Sequence, residues 1–217
     1  NTANGYYYCI IGNSTFQNLQ LQTVAEEIGE SNLTCGILTR EYNALLAIYN
    51  ATGGSNWNNK TNLLTTNPAT TWHGVTVNGV NVTWLDLGYN NLTGILPGET
   101  ADLTKLDGLQ FRGNHLSALH SNVGNLAYLS TFDLCDNDFT AFPEAVCGIG
   151  SLRWLYLDNN EMVGTIPDAI GNLTNMWDIF LCDNQLSGQI PSSMANMTQL
   201  ICFDFSRNNL SGALPAA

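Results

Sequence analysis

The 217 residues carry 18 acidic and 6 basic side chains, a net charge of −12, and only 11% of them are charged, against roughly 25% in an average soluble domain. A chain this acidic cannot stand in for the counterions of a nucleic acid, and no apolar run in it reaches the ~20 residues that span a bilayer. Apolar residues, at 44%, suffice for a continuous core, and asparagine, with 28 copies, fills the place of the missing charge.

The chain starts Asn1-Thr2-Ala3 with neither Met nor a basic-then-apolar leader, which reads as a mature or trimmed chain from which any signal peptide has already gone. Residues 1–38 form a first, flanking unit. Tyr6-Tyr7-Tyr8-Cys9-Ile10-Ile11 is strand-prone, and Cys9 and Cys35 are expected to form a disulfide, as secreted chains do. Residues 39–81 form a second unit. Apolar Tyr42, Leu45, Leu46 and Tyr49 recur at helical spacing; Thr39 is the expected N-cap and Gly53 the expected stop. Trp72-His-Gly-Val-Thr-Val77 then reads as the first strand of a sheet.

Residues 82–217 are periodic. VTWLDLGYNNLTGILP, from Val82, aligns with stretches starting at Leu106, Leu129, Leu152, Met176 and Leu200, so the intervals are 24, 23, 23, 24 and 24 residues. In each copy two apolar residues such as Leu85 and Leu87 alternate with polar or aromatic ones, which puts them on the inner side of a short strand. An asparagine follows: Asn90, Asn114, Asn137, Asn160, Asn184 and Asn208. At that bend an amide with two donors and an acceptor can satisfy backbone groups that the turn leaves unpaired. Five of the six prolines (97, 143, 167, 191, 215) fall at one later position. A single copy cannot bury its own apolar face, so the copies must stack.

This LxxLxLxxNxL pattern, continued as in Gly188-Gln-Ile190-Pro191, resembles the leucine-rich repeat of the plant subfamily. ALLAIYNATGGSNW followed by WHGVTV resembles the N-terminal cap of plant and algal leucine-rich repeat ectodomains. The resemblance covers residues 39–217. It implies an α/β solenoid: a right-handed superhelix with a parallel β-sheet on the concave face, an asparagine ladder and an N-terminal helical cap. The family usually ends WxGVxC with a cysteine; Val77 stands there, so packing rather than a disulfide is expected to hold the cap. The sixth repeat stops without its return half, which predicts an open, uncapped end, covered by more chain or by a partner.

Nine asparagines stand in N-x-S/T sequons: Asn13, Asn32, Asn50, Asn59, Asn81, Asn91, Asn172, Asn196 and Asn209. They predict a secreted chain whose sparsely charged surface is solvated by covalent N-glycans. The other cysteines do not pair readily. Cys135 and Cys182 fall two strands apart, about 9.6 Å at the usual strand spacing, beyond the ~6.8 Å that a disulfide bridges. Cys182 and Cys202 are four residues out of register, and a Cys135–Cys147 bridge stays open. No zinc spacing, P-loop or GxSxG occurs. His73, His115 and His120 read as surface residues on turns. Asp133–Asp138 lacks the glycine and terminal Glu of a calcium loop. No catalytic residue, cofactor or metal is therefore expected.

The outward strand positions hold Trp84, Trp154, Tyr156, Trp177 and Phe180 beside Asp86, Asp133, Asp178 and Asp204. Large aromatics on a solvated sheet are binding residue types. Two functions follow. In one, a non-catalytic structural glycoprotein associates end to end with copies of itself through the uncapped end, a heterologous contact that builds filaments. In the other, a recognition ectodomain or inhibitor-like protein binds a protein, peptide or glycan on the concave face.

Overall fold

The computed structural model describes residues 33–214. Cys9, the sequons Asn13 and Asn32, the Tyr6–Ile11 segment and Pro215 lie outside the described residues.

The cap comes first. Strands β1 (Leu33–Thr34) and β2 (Ile37–Leu38) form a short antiparallel hairpin, and helix α1 (Thr39–Ala51) follows directly. The cap residue of α1 is Leu38, one position before the expected Thr39, whose hydroxyl instead bonds that of Thr34 at 3.0 Å. Gly53 ends the helix in the left-handed conformation at φ 73°, where glycine carries no Cβ penalty. The buried stripe is Glu41, Ala44, Leu45 and Ile48, while Leu46, expected inside, is 36% exposed. The shift follows from Glu41, whose carboxylate is fully buried and accepts the Val82 N–H at 2.6 Å, turning that side of the helix onto the sheet. Tyr42 and Tyr49 flank the stripe with edge-on contacts to Trp72 and Trp57, at 5.9 and 5.3 Å.

The main sheet has seven strands. β3 (Val75–Asn78) pairs antiparallel with β4 (Asn81–Asp86). From β4 the order runs parallel through β6 (Gly108–Gln110), β8 (Thr131–Asp133), β9 (Trp154–Tyr156), β11 (Asp178–Phe180) and β13 (Cys202–Asp204). Leu85, Leu109, Phe132, Leu155 and Ile179 stand in register on its inner face and are all fully buried. Burying such a side chain is worth about 1.5–3 kcal/mol. Phe203 continues the row but is 47% exposed, because no further coil lies beyond it among the described residues.

Five strands the repeat pattern did not announce form a second layer of pairing. β5 (Thr93–Leu96) pairs parallel with β7 (His115–Leu119), and β12 (Gln185–Gln189) lies between β10 (Val163–Thr165) and β14 (Asn209–Ser211). Here serines hold successive coils together: Ser117, Ser187 and Ser211 donate to the carbonyls of Gly94, Gly164 and Gly188 at 3.2–3.3 Å. The prolines explain the remaining side. Pro97, Pro143, Pro167 and Pro191 each cap a 3-10 turn, Gly98–Asp102, Glu144–Gly148, Asp168–Asn172 and Ser192–Asn196, where a missing N–H costs nothing. In the coil without proline His120 takes this place, its side chain accepting the Asn122 N–H at 3.2 Å. Coils touch closely here, and a Cβ on Gly171 would come within 2.5 Å of the Ser193 carbonyl oxygen.

Between the two layers each coil turns sharply. Tyr89, Gly113, Asp136, Asn159, Asp183 and Arg207 all have φ between 51° and 66°. The next residue in each coil is a ladder asparagine. Asn114 Oδ1 accepts the N–H groups of Asn90 and Leu92 at 3.0 and 2.9 Å, and its Nδ2 donates to the carbonyls of Phe111 and Leu87. Asn137, Asn160, Asn184 and Asn208 repeat this between their own coil and the preceding one. Asn90 has no earlier coil and grips the cap loop instead, bonding the N–H and carbonyl of Asn59 at 2.5 and 2.8 Å. The fold is a leucine-rich repeat solenoid with one long sheet and one N-terminal helix.

Candidate functional site

The register sorts the outward side chains of the main sheet into two columns. One holds Trp84, Gly108, Thr131, Trp154, Asp178 and Cys202. The other holds Asp86, Gln110, Asp133, Tyr156, Phe180 and Asp204. The aspartates of the second column have a local task. Asp86, Asp133 and Asp204 each accept the N–H two residues on, from Gly88, Cys135 and Ser206, at 2.9–3.1 Å. This closes the turn that follows the strand. Asp86 and Asp133 are separated by the Gln110 strand, about 9.6 Å at the usual spacing. Both already serve their own backbone, and Asp133 is only 8% exposed.

Where the second column carries Tyr156 and Phe180, the two rings stack at 5.4 Å with planes 20° apart. Trp154 and Trp177 meet edge to face at 5.2 Å, and the Arg153 guanidinium lies 4.8 Å over the Trp177 ring. All four aromatics are half-buried, and they form two ring pairs, Trp154 with Trp177 and Tyr156 with Phe180. Trp84 does not join them. It is three strands away and lies across Gly108, whose absent Cβ would stand 2.1 Å from the indole. Arg153 and Asp158 complete the neighbourhood and were not anticipated, although the repeat register alone sets Arg153 beside Trp177.

The electrostatics are acidic. Burial, followed by Asp178, Asp133 and Asp158, pushes the Tyr156 phenol up from its ordinary value. Burial, and then Asp133 and Asp136, also holds the Asp158 carboxyl above the usual range, against the pull of its own backbone N–H. Arg112 reaches Asp136 at 3.4 Å, and Arg207 pairs with Asp183 at the far end.

The other predicted residues are distributed as follows. Of the described sequons, Asn50, Asn59, Asn172, Asn196 and Asn209 are exposed, whereas Asn81 and Asn91 are half-buried and Asn91 Nδ2 donates to the Asn56 carbonyl at 3.0 Å. Cys35 is buried and disulfide-bonded; its expected partner Cys9 lies outside the described residues. Cys135, Cys147 and Cys182 are buried free thiols, and Cys202 is an exposed one. His115 opens β7 rather than a turn and faces Asp138 at 3.1 Å on the surface. Among the described residues no group of three or more His, Cys, Asp or Glu could hold a metal ion, and no helix is long and apolar enough to cross a membrane.

Comparison with known proteins fits this architecture. The model of the family described as Leucine Rich Repeat matches residues 81–103 and 151–173. The receptor-like protein kinase HAIKU2 of Arabidopsis thaliana is 34% identical over 88 residues, which are 39% of this chain and 9% of that protein. This chain therefore corresponds to a small part of that relative. Among solved structures, the ectodomain of the Arabidopsis thaliana receptor kinase SOBIR1 superimposes with a TM-score of 0.68 at 27% identity, covering 83% of this chain and 98% of that one. The Arabidopsis receptor kinase HAESA, solved in complex with the peptide hormone IDA and the co-receptor SERK1, gives 0.61 at 26% identity over 66% and 25% of the two chains. A plant ice-binding protein gives 0.57 at 26% identity over 82% and 66%. The chain folds as a leucine-rich repeat solenoid and is similar to the ectodomains of Arabidopsis receptor kinases.

Proposed function

We propose that this chain is a non-catalytic recognition domain that binds a peptide or protein on its concave face, centred on Trp154, Tyr156, Trp177 and Phe180. The observation that carries this reading is the break in the second column. Its other members are Gln110 and three aspartates that close their own turns, while Tyr156 and Phe180 do nothing of the kind and leave ring surface in solvent. Rule-breaking positions without a structural return are where function concentrates. The similarity to a receptor kinase solved with a peptide hormone and a co-receptor supports the same reading. The acids around the rings favour a ligand with basic side chains.

The setting we propose is extracellular, with N-glycans on the exposed sequon asparagines. The test is selection from a displayed peptide library on the immobilised domain. Enriched peptides should be basic and should lose at least ~30-fold in affinity on Trp154→Ala or Trp177→Ala, the size of a hot-spot loss. Peptides that bind a double variant unchanged would place the site elsewhere.

A second reading, self-association through the last coil, is favoured by Ile201 and Phe203, which are 78% and 47% exposed on what would otherwise be a stacking face. Sedimentation at micromolar concentration decides it: concentration-dependent growth supports association, and a strict monomer rejects it.

A further inference from the structure

The concave face carries a recess away from the aromatic cluster. It is an open cleft of about 420 Å³ at the cap end of the sheet, lined by His73, Asp86, Gly88, Tyr89, Gln110 and Arg112. That volume lies in the range of small-ligand sites. The register explains why it exists. Gly88 stands in the outward row that Arg112, Cys135, Asp158, Cys182 and Ser206 fill in later coils. A missing side chain at that one place leaves the hollow. Asp86 and Gln110 are direct neighbours on β4 and β6, and Gly88 and Arg112 are the next outward pair along. The polar groups therefore edge a patch about 5 Å by 7 Å, from the strand spacing and rise.

These groups are available. The side chains of His73 and Gln110 make no hydrogen bond among the described residues. Asp86 uses Oδ1 for the Gly88 N–H at 3.1 Å and keeps Oδ2 open. Arg112 reaches Asp136 through one nitrogen only, at 3.4 Å, and the Tyr89 ring, 64% exposed, stands 5.6 Å from its guanidinium.

We infer that this cleft is a saccharide-binding site. An anion would meet Asp86 and a cation would meet Arg112, so the pair disfavours either charge. What remains is a neutral ligand that donates to a carboxylate and accepts from a guanidinium across one short span, with an amide between them that does both. Vicinal hydroxyls on a sugar ring match that inventory, and the Tyr89 ring offers a flat apolar wall for the ring's C–H face. The site is about 10 Å, two strand spacings, from Tyr156, so it stands independently of the peptide reading.

The test is saturation-transfer NMR on the whole chain with methyl α-mannoside, N-acetylglucosamine and cellobiose as probes and methyl phosphate, whose methyl protons can be observed, as the charged control. At least one saccharide should bind in the millimolar range, and methyl phosphate should not. Gly88→Val should weaken saccharide binding at least tenfold by filling the hollow. Its backbone is not left-handed and the nearest atoms to a new Cβ are 3.4 Å away, so the backbone there accepts a side chain. Gln110→Ala, which changes no backbone, should also weaken binding and serves as the second variant. No transfer to any of the three sugars, binding that survives both substitutions, or a cleft that takes methyl phosphate in preference would each overturn the assignment.

Discussion

Replacing Asn137 by Ala tests the ladder where its bonds can be counted. Asn137 is 5% exposed; its Oδ1 accepts the Leu116 N–H at 2.9 Å, and its Nδ2 donates to the carbonyls of Phe111, Leu134 and Cys135 at 3.0–3.1 Å. The carbonyls are shared. Without Asn137, Phe111 keeps the Asn114 amide, Leu134 keeps the Asn160 amide, and Cys135 keeps the Gly113 N–H. The buried Leu116 N–H loses its side-chain acceptor, and an unsatisfied buried donor costs about 1–3 kcal/mol. Three carbonyls reduced from two bonds to one add a smaller amount, so the expected loss is about 2 kcal/mol, read as a lower urea midpoint in circular dichroism. Asn137→Asp separates the two halves of the argument. It retains an acceptor for Leu116 but removes both donors and points a charge at carbonyl oxygens, so it should destabilise more than Ala. An Ala variant as stable as the parent, or an Asp variant more stable than the Ala one, would refute the account.

The close approach of coils predicts that Gly171→Ala costs about 1–3 kcal/mol, since its Cβ would meet the Ser193 backbone, while Gly150→Ala, with open space around it, changes stability by under about 0.5 kcal/mol; equal urea midpoints for the pair would reject this. Iodoacetamide at neutral pH should label exposed Cys202 first. Burial pushes the Cys147 and Cys182 thiols up to about 12 and 11 and raises Cys135 further, so mass spectrometry should find these three alkylated only after denaturation. Glycopeptide mapping of chain secreted by a eukaryotic cell should find glycan on Asn50, Asn59, Asn172, Asn196 and Asn209 and none on Asn91, whose amide is held by Asn56; an occupied Asn91 would show that this bond yields. Asp158 has a raised folded-state pKa, so its contribution to stability is present in acid and is lost as pH rises from the ordinary 3.8 through the folded value. Asp158→Asn should therefore raise the urea midpoint at pH 7 and leave it nearly unchanged at pH 3; the reverse pattern would mean the carboxylate is paired rather than crowded.

The six strands, the ladder and the proline column were legible because a fixed period imposes one register on every copy, and one register is enough to pair neighbours. What the period could not carry was anything set by a single contact across coils. Glu41 reads as a solvated charge until Val82, 41 residues away, supplies the N–H it accepts, and that one bond moves the buried face of α1 off Leu46. The left-handed turn before each ladder residue is occupied by Tyr, Gly, Asp, Asn, Asp and Arg in turn. Four of these are types that favour the conformation on their own; at Tyr89 and Arg207 the packed neighbours must impose it. The cleft was equally hidden, since it consists of an absence at Gly88 that matters only beside Asp86, Gln110 and Arg112.

The same register decides how the concave face should be read. Counted by residue type, it is a mixture of acids and aromatics, and either class could claim function. Counted by column, the aspartates repeat at the position where the chain turns, and each gives one carboxylate oxygen to the N–H two residues ahead. A side chain that solves a local backbone problem in three coils needs no ligand to explain it. Tyr156 and Phe180 sit at that very position, forgo the bond and keep ring surface in water. Leaving aromatic area in water has a cost, about 25 cal/mol per Å², that the rest of the column avoids. A contact outside the described chain is what would recover it.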